Sequence, residues 1–238
     1  MTSTATVQEI LNAVTGELGL PSVTYGAVSY DQTGQQLISM LPAVGRNLTR
    51  AHDWQFMEKT ATFSGDGVTS EFDLPTDFGR VVNQTQWATS DQRPMTGPVT
   101  PQVWGWCLYG IVSSGFFYRY RILNNKLAVF PTPGVGTEFA FFYISKNWAV
   151  ATDGVTYKSS VTMGSDVPLF DQRLMVTGLK SMYWGQKGFD TTQIQSEFNY
   201  VLENEKGTNQ SAPVLRLGCS DAGILINQYN VPDGSWKV

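Results

Sequence analysis

The hydrophobic period of this chain changes twice along its length, and those two changes restrict its architecture more than any single motif. Near the start, Val7, Ile10, Leu11, Val14 and Leu18 recur at i, i+3, i+4 and i+7, the spacing of one helical face. Thr6 and Glu9 stand three residues apart ahead of that face, the pattern of a capping box, and Gly19 with Pro21 ends it. A second helix is expected over about 31–52 (from Asp31 to His52), with Leu37, Ile38, Leu41, Val44, Leu48 and Ala51 inward and a kink at Pro42, which lacks an amide donor. Beyond Trp54 the period becomes two. TATFSGDGVTSEFDL, residues 60–74, alternates on both sides of Gly-Asp-Gly and predicts a hairpin. Further strands are expected over 80–88, 116–123, 126–130 and 138–145, joined by turns at Asn124-Asn125 and at 131–136.

Helical period then returns. Asp166 and Pro168 are expected to open a helix with Gln172, Met175, Val176, Leu179, Met182 and Tyr183 on one broad face, widened by Phe170 and Leu174. Gly188 and Phe189 suit a Schellman ending, and Asp190 with Gln193 predicts a second capping box before Ile194, Phe198, Val201 and Leu202. The fold class is therefore α+β. Residues 1–55 supply N-terminal helices, 56–165 an inserted antiparallel β domain, 166–206 a helical hairpin and 207–238 an extended C-terminal arm. Each helical pair has an apolar face that needs a partner, so the two pairs are expected to form one bundle.

Composition narrows the chemistry. Charged residues make up 15% of the 238, the net charge is -4, and no run of Lys or Arg occurs, so nothing favours gripping nucleic acid phosphates. Cys107 and Cys219 lack a metal-ligand spacing and, with the single His52, do not compose a closed zinc site; both are expected as free thiols. His52 falls at a helix C-terminus, where the dipole favours it structurally. Asp66, Glu71, Asp73 and Asp77 cluster in sequence and invite comparison with paired glycosidase carboxylates, but turn chemistry explains Asp at such positions. SGDGVTS has neither the spacing nor the context of a phosphate loop. In YRYR, residues 118–121, a strand would put the tyrosines on one face and Arg119 and Arg121 on the other, a solvated face or a contact with DNA or an acidic neighbour. No catalytic residue, cofactor or metal is assigned. MTSTATVQEI has no basic segment followed by an apolar one, and the longest apolar run is FAFFYI at 139–144, so neither a signal peptide nor a membrane span is expected.

One stretch resists these classes. RPMTGPVTPQVWGWC, residues 93–107, holds three prolines, two glycines and two tryptophans with one charge. Thr100 can cap, and Pro101 can occupy the first position of, a short helix carrying Trp104 and Leu108. Prolines restrict the backbone, so a contact made here loses less entropy on assembly. Arg93, Pro94, Pro98, Pro101 and Trp104 are accordingly expected to form a rigid structural loop or interface.

RPMTGPVTPQ with Trp104, DLPTDFGRVVNQTQW upstream, FPTP at 130–133, EFAFFYISKNW at 138–148 and LFDQRLMVTGLKSMYWGQKGFD at 169–190 together resemble the head-to-tail adaptor proteins of tailed bacteriophages, also called tail tubular or head-completion proteins, over about residues 5–215. The resemblance implies a homo-oligomeric ring, a dodecamer, beneath the portal protein of the virion. Such a ring is assembled in the host cytoplasm, meets a tail nozzle or tail tube protein and leaves a channel for genomic DNA that it does not bind specifically. It further implies a short-tailed phage and a non-enzymatic structural role. Residues 218–238 do not match the family pattern, and an arm carrying Leu215, Leu217, Ile224, Ile226, Tyr229 and Trp236 is expected to contact the portal. The competing reading is a carbohydrate-binding or glycoside-cleaving tail module, suggested by the 13% aromatic content. The predicted helical hairpin favours the adaptor.

Overall fold

The computed structural model describes residues 5–26, 32–110 and 117–209. The start of the second helix at Asp31, the strand start at Phe116, Cys219 and residues 210–238 of the expected arm lie outside them, whereas residues 207–209, expected as the start of that arm, continue the last helix to Asn209.

Helix α1 (Val7–Leu18) opens with the expected reciprocal capping box between Thr6 and Glu9 and ends at Gly19, whose φ of 65° is the left-handed cap conformation. α2 (Gln32–Ala51) runs continuously through Pro42. It buries Leu37, Met40, Leu41, Val44 and Leu48, while Ala51, expected inward, is exposed at the last position. The β region begins with β1 (Glu58–Ser64) and β2 (Glu71–Asp73) and continues through β3 (Phe78–Val81), β4 (Trp87–Ala88) and β5 (Arg93–Pro94). After α3 (Pro101–Tyr109) come β6 (Arg119–Leu123), β7 (Lys126–Phe130), β8 (Glu138–Ser145), β9 (Ala149–Val150), β10 (Tyr157–Lys158) and β11 (Val167–Pro168). Two helices close the described chain, α4 (Gln172–Lys187) and α5 (Thr192–Asn209).

The expected hairpin over 60–74 does not form. β1 pairs along its whole length with β8, Glu58 opposite Ile144 and Ser64 opposite Glu138, whereas β2 pairs with β7 in another sheet. The Gly-Asp-Gly turn itself exists, because the Asp66 carboxylate accepts from the amides of Val68 and Thr69 and from the Thr69 hydroxyl. Its strands part because the seven-residue ladder with β8 satisfies more backbone groups than a short local hairpin would, and it sets Phe63 opposite Phe139. The expected strand over 80–88 is likewise split: Gln84 takes a φ of 63°, and β3 and β4 each pair with β8. By contrast β6 and β7 form the predicted hairpin, with Asn124 and Asn125 at φ of 49° and 60°, the geometry of a turn matched to strand twist.

The sheets are thus β1-β8-β4-β5 with β3 also on β8, β2-β7-β6, and the small β10-β9-β11. Ala61, Phe139, Phe141 and Tyr143 from the first meet Tyr120, Leu127 and Val129 from the second in one core. A larger core joins α1, α2 and α4 to Trp54, Ile144, Trp148 and Phe170. Helix α4 does not begin at Asp166 and Pro168. Its cap is Asp171, whose carboxylate accepts from the amides of Arg173 and Leu174. Pro168 instead ends β11, and Asp166 is buried with its carboxylate bonded by Lys158 Nζ at 2.9 Å and by the amides of Thr162 and Met163. Gln172, expected inward, is exposed, as suits the first turn of a helix whose apolar face begins at Leu174.

The α4 ending is the expected one, with the Phe189 amide donating to the Trp184 carbonyl and the two rings 5.7 Å apart. Asp190 caps α5 through the Thr192 amide and hydroxyl rather than in a box with Gln193. Across the bundle surface Arg173 bridges Glu17 of α1 and Glu197 of α5, and Lys180 adds a 2.7 Å contact to Glu17. Burial alone would raise the Glu17 carboxyl, but Lys180 and Arg173 hold it below its ordinary value.

Candidate assembly interface

The stretch 93–109 is a strap between the two larger sheets. β5 pairs with β4 on the first sheet, and the Met95 amide donates to the Gln86 carbonyl while its side chain is buried. One residue later the chain changes sheets: the Thr96 amide donates to the Tyr118 carbonyl, the Tyr120 amide to the Thr96 carbonyl, and the Val99 amide to the Tyr120 carbonyl. Gly97 is required for that crossing, because a Cβ there would lie 2.5 Å from the Tyr120 carbonyl oxygen and 2.8 Å from its ring. Thr100 Oγ1 then accepts from the Val103 amide and Pro101 occupies the first turn of α3, as the sequence suggested.

Of the residues expected to act here, Trp104 is buried, Pro94 is half-buried in β5, and Arg93, Pro98 and Pro101 are exposed. The exposed apolar surface comes from other members of the helix. Trp106 is 50% and Tyr109 87% exposed, with Val103 and Leu108 also open to solvent. The sequence placed Leu108 on this helix beside Trp104 without separating an inward from an outward side. A nine-residue helix that is apolar nearly all round has no periodic signal to separate its buried side from its open one. Arg119 lies under this helix, its guanidinium 5.2 Å from the Trp106 ring and 3.1 Å from Cys107 Sγ, so it is neither a solvated face nor free for DNA.

The groups considered for catalysis serve the fold. His52 packs edge-on to Trp54 at 5.1 Å, its Nε2 has no hydrogen-bond partner among the described residues, and burial lowers its basicity. Asp77 accepts from Lys59 Nζ at 2.6 Å, Tyr143 Oη at 2.8 Å and Ser145 Oγ at 2.9 Å. Burial would raise its carboxyl, and those three donors outweigh it. Asp73 pairs with Lys126 across β2 and β7. The Thr69 hydroxyl and amide and the Val68 amide hold the exposed Asp66 carboxyl at about 2. Among the described residues no three His, Cys, Asp or Glu side chains are grouped to hold a metal ion, and no helix is long and apolar enough to cross a membrane.

The family model of the SU10 adaptor protein matches residues 5–198, from the α1 capping box through both cores and into α5. The chain belongs to the SU10 adaptor protein family. It is a phage adaptor protein, a structural component of the virion, in agreement with the resemblance carried by residues 73–107 and 130–190. No curated protein matches it. As an SU10 adaptor protein it carries its match on the strap and on the bundle as far as residue 198 in α5, whereas the expected arm residues Leu215, Leu217, Ile224, Ile226, Tyr229 and Trp236 are outside both the match and the described residues.

Proposed function

We propose that this adaptor forms a homo-oligomeric ring, twelve copies as the resemblance implies, that joins the portal protein to the nozzle or tail tube of a short-tailed phage and lines the channel through which genomic DNA leaves. The observation that carries the reading is the family match across bundle, β domain and strap together. The open apolar face of α3 supports it, since Trp106, Leu108 and Tyr109 gathered on one short helix are the kind of surface a partner covers. A net charge of -4 and sparse basic residues suit a wall past which DNA slides without specific contacts. The ring acts at the head-tail junction after assembly in the host cytoplasm and needs no enzymatic step.

Residues 215–238 are proposed to reach the portal through Leu215, Leu217, Ile224, Ile226, Tyr229 and Trp236. The test is mass by light scattering with negative-stain imaging, on the protein alone and mixed with the portal ring of the same virus. Rings or capped portals are the expected result. A monomer that ignores the portal, or that instead binds in a glycan screen, would overturn the reading, and portal binding retained after deletion of 215–238 would remove the arm's role.

A further inference from the structure

The two ends of the long β1-β8 pair carry exposed side chains of opposite charge, several of which make no ion pair among the described residues. At the bundle end, a cleft of about 630 Å³ opens between α2, β3, the end of β8 and the segment around Ser159. Its rim holds Arg46, Arg50, Arg80 and Lys146, and its floor includes Phe78 and Ile144. Arg46 and Arg50 are four apart and so share one side of α2. Arg80 is engaged, bonding Asp53 Oδ1 at 2.6 Å and the carbonyl oxygens of Thr49 and His52. Arg46, Arg50 and Lys146 are exposed and make no ion pair among the described residues. In a chain of net negative charge, three uncompensated cations around one apolar-floored cleft mark a place for an anionic partner.

The other end is a rigid double loop. Gly65 donates to Thr137, Gly67 to Pro133 and Gly136 to Gly65, so the turns at 65–69 and 133–137 are stitched into one tip. Val68 and Val135 stand at that tip, each 85% exposed, and a Cβ on Gly67 would lie 3.1 Å from Val135 Cγ2. The exposed carboxylates of Asp66, Glu71 and Glu138 surround them. With the seven-residue pairing of β1 and β8 between them, tip and cleft are separated by roughly 20 Å along the strand direction, so one copy cannot satisfy both.

We infer that the anionic, valine-bearing tip of one copy seats in the cationic cleft between the bundle and β domain of the next copy. Two different surfaces at opposite ends make a head-to-tail contact, which closes as a ring when the rotation between copies allows it. The inference rests on the ring reading and names the contact that builds it. Carboxylates meet Arg46, Arg50 and Lys146, and Val68 and Val135 cover the Phe78 and Ile144 floor.

Full-length protein carrying Arg46→Glu and Arg50→Glu is compared with wild type by light scattering and negative-stain imaging, with and without portal rings, after a circular dichroism melt establishes that it folds. Loss of the assembly is expected, with a return when these copies are mixed with copies carrying Glu71→Lys and Glu138→Lys. An independent arm places Val68→Cys and Ser159→Cys in one chain and oxidises the assembled protein; covalent ladders between copies are expected and do not require the charge variants to fold. Wild type that never assembles would end the ring reading itself. Intact rings in the charge-reversed protein, or no ladder in assembled cysteine protein, would overturn the tip-and-cleft contact alone. So would binding of a short DNA duplex that is lost in the Arg46 and Arg50 variant while rings persist, which would assign the cleft to phosphate.

Discussion

Between α1, α2 and α4 the buried surface is aliphatic and continuous, built from Ile10, Leu11, Leu37, Leu41, Val44, Met175 and Leu179, whereas between the two larger sheets it is dominated by rings. Phe63 stacks on Phe141 at 5.5 Å, and Tyr118 meets Phe139 edge-on at 5.0 Å. Many small aliphatic contacts let helices approach closely: a Cβ on Gly178 of α4 would lie 2.9 Å from Val44 of α2. Aromatic pairs do the reverse, spanning a wider gap with few residues, which suits short strands that contribute little area each. The bundle core is therefore tolerant of individual losses in a way that the β core is not. The two are joined where Trp148, supplied by the chain just after β8, lies flat against the backbone of Gly45 in α2 and donates its indole N–H to the Ser159 carbonyl at 2.8 Å.

Trp148→Ala gives the largest break in that distinction. It empties a fully buried site in the bundle core from the β side, and a loss of about 3–5 kcal/mol is expected by urea denaturation, with both regions unfolding together. Two separated transitions in that variant would show that the cores are less coupled than this contact implies.

Asp77→Asn acts on the link between β1, β3 and β8 and is expected to cost about 1.5–3 kcal/mol at neutral pH, since it weakens hydrogen bonds to a charged group. The Asp77 carboxyl binds its proton less readily folded than unfolded. Its contribution is therefore complete above the ordinary value of 3.8 and is lost as pH falls below it. Wild-type stability measured down through that window is expected to fall more steeply than that of the variant, and parallel curves would remove the assignment.

Gly97→Ala tests the strap, and about 1–3 kcal/mol of destabilisation is expected because the added methyl meets the Tyr120 backbone rather than a movable side chain. Near-ultraviolet circular dichroism is expected to change with it, as the strap fixes the sheets that carry the rings. Thr6→Ala is the smallest effect, about 1 kcal/mol, confined to α1 and read by faster amide exchange at its first turn. If it also loosened the β core, the separation of the two regions would be less than their packing suggests.

The bundle was legible because a helix pairs its own backbone within four residues, so the capping box at Thr6, the stop at Gly19, the Schellman ending at Gly188 and the buried stripe Leu37, Leu41, Val44 and Leu48 are written at fixed local spacings. The β6-β7 hairpin was legible for the same reason, its turn being two asparagines long. The 60–74 segment misled because alternation marks a strand without naming its partner, and β1 found β8 across about seventy residues of chain. A start at Asp166 misled because Asp and Pro open helices and also close loops, and only the Lys158 ammonium and two amides gathered by the fold decided which. In the same way the sequence alone marked residues 93–107 by their three prolines and two tryptophans and by the family motif they carry. That the strap crosses between sheets, that α3 turns Trp104 inward and Trp106 outward, and that exposed cations and carboxylates lie at opposite ends of β1 and β8 were settled only by tertiary structure, because contacts between distant segments leave no periodic trace in either one.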